Sequence, residues 1–324
     1  MFQRHTTYDH PTCTVAIQIE MPSCQQPKWY GVLALLILPS VPVFILNALQ
    51  PTLQGQPTRS PGIQDGRFWK TKEIPDEIIP TWLLFLLSLG LPLFLLALGV
   101  FGAMKRDRKL SDAANTASLP FRGWIIGLFN AVYWVSLTMT LILKYYAHQM
   151  RPKSIAMCHS ILEKHSYNVS NYVASLEQLK ACCSYDPDLF QGYPSGHSSM
   201  SFCGIFGCGL LLTKVPWLLE GIAASCGGGN SQRSCAGRLG VVWSGVLKGA
   251  ILFVTGVSAA MIAMTRVLDG SHFPYQVNAG CILGLLSCGC MAQCSLLWVD
   301  VPLGGREYGE RKKKEVKELS LGEA

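Results

Sequence analysis

Six runs of apolar residues, near 30–49, 80–103, 121–143, 197–214, 240–264 and 277–299, constrain this chain more than any other feature. Each approaches the length of about 20 residues that an α-helix needs to cross a bilayer. Composition agrees. Of the 324 residues, 49% are hydrophobic and 15% charged, against roughly 25% charged in an average soluble domain, so an ordinary soluble fold would lack polar surface. The expected fold class is an all-α integral membrane protein with six transmembrane helices in a bundle. The fourth run is the shortest and holds Ser199, Ser201 and several glycines; such a span needs neighbours to shield it.

Charge sets the orientation. Lys105, Arg106, Arg108 and Lys109 follow the second run, and Arg306, Arg311, Lys312, Lys313 and Lys314 follow the sixth; basic clusters of this kind stay on the cytosolic side. Alternation then places 50–79, 144–196 and 265–276 outside, in a lumen or the extracellular space. The expected organisation is a cytosolic segment over 1–28, a six-span membrane domain over 29–300 and a basic cytosolic tail over 301–324. The polar stretch before Trp29 argues against a cleaved signal peptide. Asn168 heads the single N-x-S/T sequon and falls in an outside loop, where glycosylation occurs. Of the thirteen cysteines, most lie in or beside apolar runs and act there as small hydrophobes. Cys158, Cys182 and Cys183 share the large outside loop, enough for one disulfide with one thiol left over. No spacing of Cys and His matches a zinc site, so neither metal nor cofactor is expected. The basic balance suits a membrane surface rather than nucleic acid.

Three polar clusters stand at the ends of the runs, all on the outer side. Lys144-Tyr-Tyr-Ala-His-Gln-Met-Arg151-Pro152 closes the third run, Tyr193-Pro194-Ser195-Gly196-His197 opens the fourth, and Thr265-Arg266-Val-Leu-Asp269-Gly-Ser-His272 lies between the fifth and sixth. Singly, each has a plain explanation: Lys144 and Arg151 as snorkelling charges, Arg266 as an anchor, His197 as a helix-end polar residue. Jointly they make an oxyanion site. Guanidinium groups bind phosphate oxygens in pairs, Lys144 adds a point charge, and a Ser-Gly turn entering a helix offers backbone N–H groups to an anion. One imidazole can attack phosphorus while the other protonates the leaving oxygen.

These three motifs, K-x6-R-P, P-S-G-H and R-x5-H in that order, resemble the type-2 phosphatidic acid phosphatase family, the lipid phosphate phosphatases. The resemblance covers about residues 30–300. It implies dephosphorylation of a membrane lipid phosphate without metal: His272 as nucleophile, His197 as general acid and base, and Lys144, Arg151, Ser195, Gly196 and Arg266 as phosphate ligands, with Pro194 and Asp269 in support. Phosphatidate, lysophosphatidate, diacylglycerol pyrophosphate and sphingoid-base phosphates all fit an outward-facing site in the plasma membrane or an endoplasmic reticulum or Golgi membrane.

One position departs from the family pattern, which continues H-x3-D to hold the nucleophile in its reactive tautomer. This chain has Gln276 there. An amide oxygen accepts the imidazole N–H but stabilises imidazolium less than a carboxylate does; in a serine protease triad, Asp to Asn costs about 10⁴ in kcat. The alternative function is therefore a catalytically weak or inactive relative that binds phospholipid or a protein partner. Asp269 is a second candidate for the orienting role. A transporter would call for ionisable residues in mid-span, and few are present; a lipid phosphotransferase would use paired histidines but fits the full Lys/Arg/Ser-Gly-His set less well.

Overall fold

The computed structural model describes residues 34, 36–48, 77–110, 119–154, 157–158, 190–225 and 238–299, and all regular structure among them is helical. Asn168, Cys182, Cys183, the 1–28 segment and the 301–324 tail lie outside the described residues. Cys158 is disulfide-bonded.

The apolar runs become helices because hydrocarbon leaves the backbone no other way to satisfy its polar groups. A short 3₁₀ turn, Leu38–Ser40, leads into α1, Val41–Ala48. Helix α2 starts at Thr81 behind Pro80 and runs through a π-helical stretch, Leu86–Gly90, into Leu91–Leu110. Helix α3 is Leu119–Ala147. Helix α4 starts at Gly196, passes through a second π-helical stretch, Phe202–Phe206, and ends at Lys214. Helix α5 is Pro216–Ser225, α6 is Arg238–Leu268 and α7 is Pro274–Val299.

Four of these helices hold segments long and apolar enough to cross a membrane: Thr81–Lys105, Arg122–Ala147, Gly245–Leu268 and Pro274–Ser295. A fifth is counted if α4 and α5 form one span, but they meet at 94°. The break has a local cause. Val215 leaves helical geometry at φ −113° and ψ 86°, as the residue before a proline tends to do. The stretch between the fourth and fifth runs therefore begins with a helix. At the far end of α6 the helix runs on to Leu268, which puts Arg266 in its last turn rather than in the expected loop.

Two apolar clusters hold the bundle. Leu96, Phe129, Leu211, Leu218 and Met291 join α2, α3, α4, α5 and α7; Leu84, Tyr133, Met200 and Ile262 join α2, α3, α4 and α6. Helix α4 is the most enclosed, packed by α3, α6 and α7, which meets its need for shielding. The outward faces stay apolar: Phe101 is 65% exposed and Phe253 71%. A water-soluble domain would not present rows of such residues, so the bundle is that of a multi-pass membrane protein.

Candidate active site

The starts of α2, α4 and α7 and the ends of α3 and α6 gather at one end of the bundle, and all three polar clusters meet there. Helix α3 stops because His148 takes φ 42°, with its N–H donated to the Lys144 carbonyl at 3.2 Å. This left-handed closing residue is uncommon outside glycine, though His is among the more tolerant types. It turns the chain back so that residues 149–154 lie across the site. The Gly192 N–H donates to the Gln149 carbonyl at 2.7 Å, and the Lys153 N–H to the Gly270 carbonyl at 3.2 Å. Gly270, at φ 64°, makes the turn between α6 and α7.

Ser195 caps α4. Its Oγ accepts from the Ser198 N–H at 3.5 Å and from the Ser198 hydroxyl at 3.0 Å, while its own N–H donates to the Gln276 carbonyl at 3.0 Å. Pro194, after a cis peptide bond, is buried just before it. A Cβ placed on Gly196 would lie 3.7 Å from Lys144 Nζ, which puts the ammonium over the first turn of α4. The ring of His197 is nearly buried, and its Nε2–H donates to the Ile79 carbonyl at 3.2 Å.

Arg266 is 1% exposed. Its Nη2 donates to Glu77 Oε1 at 3.0 Å, and its Nη1 lies 3.1 Å from Asp269 Oδ2. Among the described residues, Nε and Nη1 have no well-aligned acceptor, so the buried fork keeps donor capacity for an anion. Asp269 does not take the orienting role on the imidazole: its Oδ1 accepts the Ser271 N–H at 2.9 Å and its Oδ2 faces Arg266. It holds the arginine and shapes the turn.

His272 is 2% exposed, with its N–H donated to the Arg266 carbonyl at 2.9 Å. The ring Nδ1 lies 2.7 Å from the Gly192 carbonyl oxygen and 3.3 Å from Gln276 Oε1. Both neighbours are acceptors, so Nδ1 carries the proton and Nε2 keeps the lone pair. Burial, and then the charges of Arg151, Lys144 and Arg266, hold this imidazole well below its ordinary pKa of 6.5. Across the site, burial would raise the Glu77 carboxyl, but the hydrogen bond and charge of Arg266 bring it below its ordinary value.

The structure thus brings together Lys144, Arg151, Pro194, Ser195, Gly196, His197, Arg266, Asp269, His272 and Gln276 at one end of the bundle. The PAP2 superfamily model matches residues 123–299. The chain belongs to the PAP2 superfamily. This membership supports a phosphatase, and the matched stretch contains each of these ten residues. A relative from Dictyostelium discoideum, named PA-phosphatase related-family protein, is 27% identical over 213 residues, 65% of this chain and 58% of the relative. The PAP2 chain therefore spans less than two thirds of the length of that relative. No solved structure matches it.

Four participants escaped the sequence reading of this PAP2 chain. Glu77 lies in the 50–79 stretch, in which the sequence marked no site residue, yet it pairs with Arg266 from 189 positions away. The carbonyls of Gly192 and Ile79 meet the two imidazoles, and a backbone oxygen carries no sequence signal. Ser271 is fully buried with its hydroxyl unpaired among the described residues; nothing in its residue type or spacing marked it out.

Proposed function

We propose that this protein is a metal-independent phosphatase of membrane lipid phosphates that works through a phosphohistidine on His272. The reading rests on one observation above all: the segments carrying Lys144, Arg151 and Arg266 converge on the buried His272, whose Nδ1 faces two acceptors and whose Nε2 therefore keeps its lone pair. The field of these cations favours a phosphate dianion and the charge that accumulates as phosphorus is attacked, which is commonly the largest catalytic contribution.

In the first step Nε2 of His272 forms a bond to phosphorus as the bond from phosphorus to the lipid oxygen breaks. His197, protonated once the phosphate dianion is bound beside it, gives its proton to that oxygen, and the lipid leaves as an alcohol. In the second step water attacks phosphorus, His197 takes a water proton, the P–N bond breaks and inorganic phosphate leaves. Lys144, Arg151, Arg266 and the N–H groups at the start of α4 hold the phosphate through both steps.

The substrates of this reading are amphiphiles such as phosphatidate, lysophosphatidate, diacylglycerol pyrophosphate or a sphingoid-base phosphate. A site at the ends of apolar helices suits a headgroup whose tails stay in the bilayer. The complete architecture in this reading has six spans, the first over 30–49 and the fourth built from α4, with the site facing a lumen or the outside. A second reading, a silent relative that binds phospholipid, is favoured by Gln276 at the H-x3-D position.

The deciding experiment is phosphate release from phosphatidate in detergent micelles with chelator present, comparing the wild-type chain with His272→Ala. Release that survives chelation and is lost in the variant supports the enzyme. Equal background from both proteins, with lipid still bound, supports the silent relative.

A further inference from the structure

The residue that departs from the family pattern is also fully engaged at the site. Gln276 is 0% exposed. Its amide nitrogen donates to the Met150 carbonyl at 2.9 Å, and its amide oxygen accepts the Phe273 N–H at 3.1 Å. Turning the amide over would set donor against donor and acceptor against acceptor, so the network fixes its orientation. The 3.3 Å approach of His272 Nδ1 to Oε1 is the longest of these three contacts.

The shorter contact of Nδ1, 2.7 Å, goes to the Gly192 carbonyl. That carbonyl is held from two sides. The Gly192 N–H is bound to the Gln149 carbonyl at 2.7 Å, and the next residue, Met150, is bound to Gln276. A ring of contacts results: Gln276 to Met150, Gln149 to Gly192, Gly192 to His272, and His272 back to Gln276 four residues on. No side chain fits inside it. A Cβ on Gly192 would stand 2.7 Å from Gln276 Nε2, 2.7 Å from the Met150 oxygen and 2.8 Å from the Gln149 oxygen.

We propose that the backbone carbonyl of Gly192 is the group that orients the His272 nucleophile, and that Gln276 is the clamp holding this carbonyl in place rather than a weakened substitute for a carboxylate. This rests on the phosphohistidine reading above. Two consequences follow from the geometry. Position 276 needs an amide of this length, because an aspartate is one methylene shorter and has no N–H for Met150. A glutamate would set an oxygen against the Met150 carbonyl. Restoring the family's acid therefore harms this protein.

The test uses the full-length protein in detergent as wild type, Gln276→Asp and His272→Ala, with two readouts. The first is kcat and KM for phosphatidate. The expected result is a fall of about 100-fold in kcat for Gln276→Asp, the scale of a catalytic group displaced by about 1 Å, with KM changed by less than about threefold. Activity of Gln276→Asp equal to or above wild type would overturn the proposal. The second readout is the tautomer of His272 by nitrogen NMR with labelled histidine, its signal identified by its loss in His272→Ala. The proposal expects the proton on Nδ1 in the wild type and its redistribution in Gln276→Asp. A wild-type proton on Nε2, or an Nδ1–H retained unchanged in Gln276→Asp, would overturn it. If no protein releases phosphate, the phosphatase reading fails while the tautomer still decides what orients His272.

Discussion

The two ends of the bundle solve close approach between helices in opposite ways. At the end bearing His272, segments meet through directional contacts: Arg266 on Glu77, Nδ1 of His272 on the Gly192 carbonyl, Gln276 on Met150. At the other end α5 lies along α2 with almost no side chain between them. A Cβ on Gly102 would overlap the Gly221 carbonyl, and one on Gly221 would overlap the Gly99 carbonyl. The cation nearby, Arg122, rests 5.2 Å over the ring of Trp217, within range of a cation–π attraction. Small residues let backbones touch where lipid offers no hydrophobic drive between helices. The site end instead keeps buried charge, which is costly unless paired. The difference separates what holds the bundle from what performs chemistry, and it can be broken experimentally.

The largest effect is expected from Arg266→Ala, which strips Glu77 and Asp269 of their partner and the phosphate of a ligand. Breaking a buried pair from one side costs about 3–5 kcal/mol, so unfolding in detergent should move to markedly lower denaturant or temperature, and phosphate release should vanish. Stability unchanged to within about 0.5 kcal/mol would show that the site end is not held by its charges.

Next comes Gly221→Leu at the opposite end. Forcing α5 from α2 should cost about 1–3 kcal/mol, the scale of overpacking, while kcat per folded molecule stays within about twofold. An equal loss of kcat would mean that the ends are coupled and the contrast is false.

A smaller effect concerns pH. Because the folded pKa of His272 lies below its ordinary 6.5, the unfolded chain binds the proton first as pH falls. The contribution of this group to stability is therefore complete above about pH 6.5 and is lost progressively as pH falls toward the folded pKa. Activity has the same sign, since the nucleophile stays unprotonated below 6.5, and the acid limb of kcat/KM should lie below that value. A limb above 6.5 would point to a carboxylate partner on the imidazole. Titrating phosphate release and thermal unfolding together tests both.

Glu77→Gln is expected to change least. It removes a carboxylate that competes for Arg266, so inorganic phosphate should inhibit a few-fold more tightly, with stability little altered because Glu77 is 34% exposed. Weaker phosphate inhibition would show instead that Glu77 holds the arginine in its working pose.

The legibility of this molecule in its sequence divides along the same line as its two ends. Four of the six apolar runs became helices long enough to cross a bilayer, and the His, Arg, Lys and Ser-Gly types at the run ends marked which residues gather. Side-chain chemistry and spacing sufficed for that, because both are local properties of the chain. The break at Val215 falls one residue past the 197–214 run and is signalled by Pro216, whereas the helix that follows it, Pro216–Ser225, was not read from the sequence.

Three things needed the tertiary structure. Asp269 could as well have served the imidazole as the arginine until its oxygens were placed on Arg266 and Ser271. Glu77 was one acid among several in the 50–79 stretch until the residues just before α2 met the end of α6. Gln276 looked like a missing carboxylate, and became a clamp only when the turn after α3 brought Met150 and Gly192 against it. The physical reason is common to all three. Sequence determines which donors and acceptors a chain possesses, but a backbone carbonyl is the same at every residue, and only the crossing of distant segments decides which one an imidazole meets.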